Sequence, residues 1–293
     1  MVSDGTGDAR ERLAVLHADE HIVVVNKPSG LLVHCSPIDR HERRFAVQLL
    51  RDQLGRRVHP VHRLDKGTSG ALAFALDRET AAKLAADFAN QRVTKTYLAI
   101  VRGWPAETGA IDYPLEAVAD RYVPATEKGP KPARTLFRRL GTVELPQRVD
   151  RYPTSRYALL ELQPDTGRRH QLRRHLAHVS HPIIGDSTYG KGRHNRLFAE
   201  LFGVQRLLLA CVRLELAHPV TGTPLLIDAE PGADFSALLA RFGWPPAAPA
   251  ASRIVNPASP SPSPPRRRSR RGVPCRRPRA PGAAAPSRPA RGT

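Results

Sequence analysis

Apolar and polar positions along the central part of the chain repeat with two different periods. Where they alternate with period two, or form a short continuous apolar run, they predict β-strands. The predicted strands are 22–34, read as two strands joined by a Lys-Pro-Ser-Gly turn, 70–76, 95–103, 156–164, 206–216 and 224–228. Where apolar residues recur every three or four positions they predict helices, at 42–54, 77–90 and 167–180. Asp77 is the predicted N-cap of the second helix.

The order of these elements predicts the class of fold. Strands and helices do not alternate strictly, so we expect an α+β chain and not a doubly wound parallel sheet. Residues 13–246 are expected to form one domain, with a Pro- and Gly-marked loop at 117–133. Residues 1–12 are polar, and 247–293 are rich in Pro, Ser, Ala and Arg. Both ends are predicted to be disordered, because they cannot bury enough surface to offset the entropy lost on ordering.

Composition adds a strong positive charge to this picture. The 293 residues carry a formal net charge of +19, of which eleven arginines in 247–293 supply +11, so that residues 1–246 carry +8. A basic charge on both parts favours a polyanion such as nucleic acid as the partner, although it also serves solubility. Three distant cysteines form no disulfide framework or metal clip, and no run of eighteen apolar residues predicts a membrane span. A reducing cytoplasmic location is the simplest interpretation.

The stretch VHRLDKGTSG at 61–70 places one carboxylate, Asp65, among cations. If 61–65 is extended, Arg63 and Asp65 project to the same side, where the cation favours the ionised carboxylate. Turn-forming residues follow, so Asp65 is expected on a loop between rigid elements, where reactive groups are common. A plain surface ion pair between Arg63 and Asp65 explains the same spacing.

A second basic stretch, 166–182, combines arginines with histidines. It contains Arg168, Arg169, Arg173 and Arg174, together with His175, His178 and His181. The four arginines suit phosphate groups or form a solvated helix face. The three histidines have a spacing that suits a metal, but the arginines would repel a cation and no carboxylate or thiolate stands at ligand spacing. Tyr97, in the strand 95–103, is either a core residue or a platform for a base.

Taken together and in order, these motifs resemble the RluA-type pseudouridine synthases. The resemblance rests on VVVNKPSGLLVH (23–34), HRLDKGTSG (62–70), KTYLAIVRG (95–103), TGRRHQLRRHLAHVSHPIIGD (166–186) and RLLLA (206–210), and covers nearly all of residues 13–245. Residues 127–146, 173–203 and the FGW at 242–244 are most similar to the tRNA pseudouridine(65) synthase branch. The resemblance implies the pseudouridine synthase fold, a single catalytic domain around a bent, mostly antiparallel sheet.

The resemblance also implies a reaction and its catalytic residues. A uridine within RNA is flipped out, and its base is detached, turned and rejoined through carbon. Asp65 matches the family's essential aspartate, which adds to C1′ or removes a C2′ proton. Arg173 matches the arginine that pairs with this aspartate, and Tyr97 matches the tyrosine that lies against the uracil.

A substrate-binding set is implied in the same way. It consists of Arg63, His62, Arg168, Leu207 and Leu208. Arg63 matches the residue that enters the RNA stack as the target leaves, with His62 beside it. Leu207 or Leu208 falls near the family's apolar contact to the base, and Arg168 is expected to hold a loop or a phosphate.

Partners follow from the same resemblance. No metal or organic cofactor is implied, because detaching and rejoining the base conserves every atom. The implied substrate is tRNA, at position 65 in the T-arm stem, and a monomer is expected. A 23S rRNA synthase with the same chemistry, or a non-catalytic RNA-binding protein, are the alternatives. Two features depart from the family: Leu209-Ala210-Cys211 stands where many relatives have Leu-His-Ala, and the arginine-rich tail has no counterpart.

Overall fold

A computed structural model describes residues 12–35, 42–116, 129–246 and 254. The strands within these ranges are β1 (Ala14–Ala18), β2 (Ile22–Lys27), β3 (His59–Pro60), β4 (Ser69–Ala75), β5 (Thr94–Arg102), β6 (Thr108–Asp112), β7 (Arg134–Leu145), β8 (Ser155–Pro164), β9 (Leu209–Ala217) and β10 (Pro224–Asp228). The helices within them are α1 (Ala46–Leu54), α2 (Arg78–Ala89), α3 (Gln171–His178), α4 (Gly192–Phe202) and α5 (Ala233–Arg241).

One mixed sheet organises these elements. Its order is β1-β2-β4-β9-β5-β8-β7-β6, with β10 beside β9 and β3 beside β4. Each of these pairings is antiparallel except that of β4 with β9, which aligns only Ser69 with Ala210 and Gly70 with Cys211. We call this short parallel contact the β4–β9 joint, because it connects the N-terminal strands to the rest of the sheet. The α+β class and the mostly antiparallel sheet are confirmed.

The β4–β9 joint depends on a glycine. Gly70 has a φ of +108°, a conformation that residues with a side chain rarely adopt. A Cβ atom at this position would lie 2.0 Å from the carbonyl oxygen of Cys211. The two backbones therefore approach closely enough to pair only because Gly70 carries no side chain.

Alternating residues of the central strands fill two apolar layers, one on each side of the sheet. On β5, Tyr97 and Ala99 belong to one layer, and Leu98 and Ile100 belong to the other. The first layer, which we call the front, includes residues of α1, α2 and α3. The second, the back, includes residues of α4 and α5. β4 is buried along its whole length, as a strand covered on both faces must be.

Several predicted elements form where the sequence pattern placed them. α1, β4, β5, β8 and β10 all lie within a few residues of their predicted bounds. α2 begins after Asp77, whose carboxylate accepts the backbone N–H of Thr80 at 2.8 Å. The predicted N-cap is therefore confirmed.

Three predicted elements differ from the structure. The second strand expected within 22–34 does not form, and Leu32 makes only a single bridge with Phe45, because the chain turns away from the sheet after Lys27. The helix expected over 167–180 begins only at Gln171, since His170 has a left-handed φ of 54° that cannot continue a helix. The strand expected over 206–216 begins at Leu209.

Other elements were not predicted, and some predictions lie outside the described residues. β1, β3, β6, β7, α4 and α5 were missed. The N-terminal prediction, the tail prediction and most of the 117–133 loop fall outside the described ranges. Within the tail, Ile254 is described: it is buried, and its N–H donates to Gln163 at 3.0 Å. Across the described part of the chain, no helix has the length and apolar character needed to cross a bilayer.

Candidate active site

A cavity of about 560 Å³ opens on the front of the sheet. Its walls come from the Asp65 loop, β5, the end of α2 and the segment that leads into α3. Six predicted site residues line it: His62, Arg63, Asp65, Tyr97, Arg168 and Arg173. The volume lies within the range typical of sites that bind a small ligand.

The loop that carries Asp65 is held by the Lys-Pro-Ser-Gly turn. Lys27 is fully buried, and its Nζ donates to the carbonyl oxygens of Pro28 (2.8 Å), Leu31 (2.7 Å) and Lys66 (3.3 Å). Ser29 Oγ donates to the carbonyl of Gly67 at 2.7 Å. Burial lowers the pKa of Lys27 to about 7, although the charge of Asp65 opposes this shift. The turn therefore fixes the backbone on the C-terminal side of Asp65.

Asp65 faces a guanidinium whose main partner is another carboxylate. Arg173 Nη1 lies 3.5 Å from Asp65 Oδ2. Its Nε and Nη2 each donate to Asp186 at 2.8 Å. Burial favours a lower pKa for Arg173, but the bonds and charge of Asp186, and then of Asp65, raise it above its ordinary value. Arg173 is thus a fixed cation, clamped by Asp186 and directed at Asp65.

Asp186 is itself kept ionised. Its carboxylate also accepts the backbone N–H groups of Thr188 (2.9 Å) and Tyr189 (3.0 Å). Burial alone would raise the pKa of Asp186, but the Arg173 hydrogen bonds, with these backbone donors, lower it. This buried pair has all the hydrogen bonds that a desolvated ion pair needs.

His170 lies on the other side of Asp65. Its Nε2 is 3.9 Å from Asp65 Oδ1, and its Nδ1 is hydrogen-bonded to the Tyr189 hydroxyl at 3.1 Å. Its left-handed backbone, φ 54°, turns the ring toward the cavity immediately before α3. Burial lowers the pKa of His170, partly offset by Asp65, so the neutral ring is favoured.

Tyr97 lines the cavity and is only 8% exposed. Its cross-strand neighbour on β9 is Cys211. Burial, and after it the thiol and the charge of Asp65, raise the pKa of Tyr97 well above its ordinary value. Burial also raises the pKa of Cys211 to about 12. Both groups stay protonated, so Tyr97 offers a neutral aromatic surface.

His62 is held in one tautomer. Its Nε2 accepts the backbone N–H of Ala73 at 3.0 Å, and its ring stacks on Phe88 with 4.4 Å between centroids. Burial, followed by the positive charge of Lys95, lowers the pKa of His62 to about 3. The ring is therefore neutral, and Nδ1 carries its one N–H.

The two other predicted arginines differ in their surroundings. Arg63 is exposed at the mouth of the cavity. Arg168 also lines the cavity, but its Nε donates to the carbonyl of Pro132 at 3.2 Å. Its backbone N–H donates to Gln171 Oε1 at 3.0 Å, while Gln171 Nε2 donates to the carbonyl of Arg134 at 2.9 Å. Gln171, which was not predicted as a site residue, therefore organises the segment before α3.

The structure separates the two predicted leucines. Leu207 packs in the front layer against the Asp65 loop. A Cβ atom placed on Gly67 of that loop would lie 3.0 Å from the Cβ atom of Leu207. Leu208 lies in the back layer, so the sheet stands between it and the cavity. Leu209, which was not predicted, lines the cavity instead. A strand side chain changes face at each residue, and Leu209 shares its face with Cys211.

The three histidines considered for a metal bind separate partners. His175 is hydrogen-bonded to Thr135 Oγ1 and to the carbonyl of Tyr113, both at 3.0 Å. His178 stacks on Tyr113, and His181 Nδ1 bonds the carbonyl of Arg102 at 2.9 Å. Within the described residues, no group of three or more His, Cys, Asp or Glu side chains is arranged to hold a metal ion.

Residues that the sequence interpretation did not assign complete the site. They are Lys27, Lys95, His170, Gln171, Asp186 and Leu209. All six lie inside the family motifs quoted above, so their presence in those motifs was the signal that could have identified them. No local sequence pattern predicts the ion pair between Asp186 and Arg173.

A carboxylate, a fixed guanidinium and an aromatic side chain share one cavity. This set suits an enzyme acting on a glycosidic bond, where a carboxylate attacks or stabilises the sugar carbon. Comparisons with known proteins give the family. Residues 21–178 match the family described as RNA pseudouridylate synthase. The tRNA pseudouridine synthase C of Vibrio vulnificus is 48% identical over 237 residues, which cover 80% of this chain and 96% of that protein.

Two further relatives agree. The tRNA pseudouridine synthase C of Vibrio cholerae is 49% identical over 235 residues, 79% of this chain and 96% of that protein. The solved structure of human RNA pseudouridylate synthase domain containing 4 is 28% identical, with a TM-score of 0.59 over 79% of this chain and 94% of that one. The chain belongs to the RNA pseudouridylate synthase family, and the predicted family and fold are confirmed.

Proposed function

We propose that this protein is a tRNA pseudouridine synthase that isomerises uridine 65 in the T-arm stem. One observation carries the chemistry: Asp65 Oδ2 lies 3.5 Å from the clamped guanidinium of Arg173, inside a cavity of nucleoside size. Relatives named tRNA pseudouridine synthase C, at 48% and 49% identity over nearly their full length, support tRNA as the substrate.

The roles of the catalytic residues follow from their charge and burial. Arg173 holds a fixed positive charge 3.5 Å from the Asp65 carboxylate as the incoming base displaces water from the cavity. The carboxylate then adds to C1′ or removes the C2′ proton, and either route frees the uracil through its N1. The uracil turns, and its C5 forms the new bond to C1′ as the Asp65–C1′ bond breaks or, on the other route, as C2′ regains its proton from Asp65. The C5 proton is then lost while N1 regains one. Tyr97 holds the base by stacking while it is detached.

Residues at the mouth of the cavity help to flip the target base out of the RNA stem. A uridine in a stem must leave its stack before reaching Asp65, which requires a few kcal/mol. Arg63 is exposed at the rim and is the side chain that fills the vacated position. Arg168, tied to the carbonyl of Pro132, supports the wall nearest the RNA backbone.

The test combines a modification map with a single variant. Deleting the gene is expected to remove pseudouridine from position 65 of tRNA and to leave 23S rRNA unchanged. Purified Asp65→Asn protein is expected to form no product on a T-arm stem-loop while binding it within a few-fold of wild type. Loss of a 23S rRNA modification would identify rRNA as the substrate, and full activity of Asp65→Asn would refute the mechanism.

A further inference from the structure

Lys95 is a buried cation in the cavity that the mechanism above does not use. It is only 8% exposed, and it lines the cavity on the same face of β5 as Tyr97. Burial lowers its pKa, although Cys211 and Asp165 oppose this shift. No described residue accepts a hydrogen bond from its ammonium group or lies within ion-pair distance of it. The ammonium is therefore available to donate hydrogen bonds to a group that enters the cavity.

The neighbours of Lys95 restrict what that ligand is. His62 is neutral with its Nε2 already bonded to Ala73, and the Cys211 thiol is protonated, so neither supplies an anion. The anion whose charge acts on Lys95, Asp165, is paired with Arg134 at 3.4 Å. Arg63 is exposed at the rim of the cavity, whereas Lys95 is buried in its wall. Lys95 shares its strand face with Tyr97, beside the ring proposed to carry the base. The group within its reach is therefore part of the base and not of the backbone.

Uracil offers acceptors that suit an ammonium group. Its O2 and O4 carbonyl oxygens are neutral acceptors in the bound uridine. When the bond from N1 to C1′ breaks, the base keeps the electron pair, and the negative charge spreads onto these oxygens. A cation in a water-poor site then binds the detached base more strongly than the substrate, which lowers the barrier.

We propose that the Lys95 ammonium donates a hydrogen bond to a carbonyl oxygen of the target uracil and stabilises the base while it is detached. This inference rests on the proposed pseudouridine synthase activity. It assigns to Lys95 a catalytic role distinct from that of Arg173, which serves the carboxylate. The apolar stem of Lys95 packs in the wall, whereas its head group acts on the substrate.

Lys95→Met tests the head group because it retains the stem. Under single-turnover conditions with enzyme in excess, its rate on a T-arm stem-loop is expected to fall about 100-fold, as for loss of one charge-stabilising donor. RNA affinity is expected to stay unchanged, because the backbone contacts remain. Lys83→Met on α2, whose ammonium is exposed and paired with Glu79, is the control for loss of one positive charge. Its rate is expected to equal the wild-type rate.

Thiocarbonyl substrates identify the contact. A thiocarbonyl accepts a hydrogen bond poorly, so 2-thiouridine or 4-thiouridine at the target is expected to slow wild type when the sulfur replaces the bonded oxygen. The same substitution is expected to have little further effect on Lys95→Met. A wild-type rate for Lys95→Met, or thiocarbonyl effects that are equally large in both proteins, would overturn the proposal.

Two provisions keep the outcome interpretable. If Lys95→Met does not fold, as judged by circular dichroism, the single-turnover rate of Lys95→Gln is compared with that of wild type instead, since glutamine places a neutral donor at this position. The rates are measured on whichever RNA the wild-type protein modifies. Wild type that modifies an rRNA fragment and not the T-arm would refute the tRNA assignment alone, and the comparison of Lys95 variants would then be made on that fragment.

Discussion

The two hydrogen bonds from Arg173 to Asp186, which form the clamp, allow the loss of stability in a variant to be predicted from the geometry. Asp186→Asn keeps an oxygen for the backbone N–H groups of Thr188 and Tyr189, but it loses the charge opposite Arg173 and turns an amide toward the guanidinium. The Asp186 side chain is only 1% exposed. Breaking a buried pair by changing one partner destabilises by about 3–5 kcal/mol, and the retained backbone bonds favour the lower end, about 3 kcal/mol.

Glu79→Gln is the control. Glu79 pairs with Lys83 on the surface of α2, 3.0 Å away, and both side chains are exposed, at 82% and 50%. An exposed pair contributes about 1 kcal/mol or less. For a domain of this size, about 3 kcal/mol corresponds to a fall in Tm of about 6–12 °C, and 1 kcal/mol to about 2–4 °C. Thermal unfolding of the two variants side by side measures this difference.

The same variant tests the catalytic alignment. Without Asp186, the Arg173 guanidinium is free to rotate, and Asp65 loses its fixed counter-charge. A displacement of about 1 Å near reacting atoms lowers rates about 100-fold, so the single-turnover rate of Asp186→Asn should fall by that order at a temperature where it is folded. If Asp186→Asn melts with Glu79→Gln and keeps the wild-type rate, the clamp does not position Arg173 and the reasoning fails.

Three other outcomes are expected. Arg63→Ala should slow single-turnover conversion of a base-paired uridine far more than that of a single-stranded one, and equal slowing of both would contradict a role in extrusion. Gly70→Ala should destabilise by more than about 3 kcal/mol through strain and overlap at the β4–β9 joint; Gly55→Ala, also at positive φ but with open space, should lose only about 1–2 kcal/mol in the same urea titration. The pKa of His62 in the folded protein is lowered to about 3, so as pH falls below the ordinary value of 6.5 the unfolded chain binds a proton at this residue before the folded protein does. Between pH 6.5 and pH 3 the stability of wild type should therefore fall more steeply than that of His62→Gln, by up to about 1.4 kcal/mol per pH unit. Parallel stability curves for the two proteins would show that His62 titrates normally.

Local patterns in the sequence were sufficient for much of the secondary structure. The continuous apolar run at β4, the alternation at β5 and the Asp77 cap of α2 depend on backbone geometry and on neighbours a few residues away. The sequence therefore carries them directly. The motif around Asp65 also identified the family before any geometry was known. The short parallel joint at Gly70 was not predictable in this way, because it is a contact between strands far apart in the chain.

Side-chain partnerships were decided by the tertiary structure. Which of three consecutive leucines lines the cavity depends on the register of β9, and a shift of one residue exchanges the two faces of the sheet. Leu209 therefore replaces Leu208 at the site. The sequence by itself determined which reactive groups this protein carries. The pairing of Arg173 with Asp186 and the burial of Lys95 in the cavity wall exist only in the folded protein, because distance and burial set the energies of these charges.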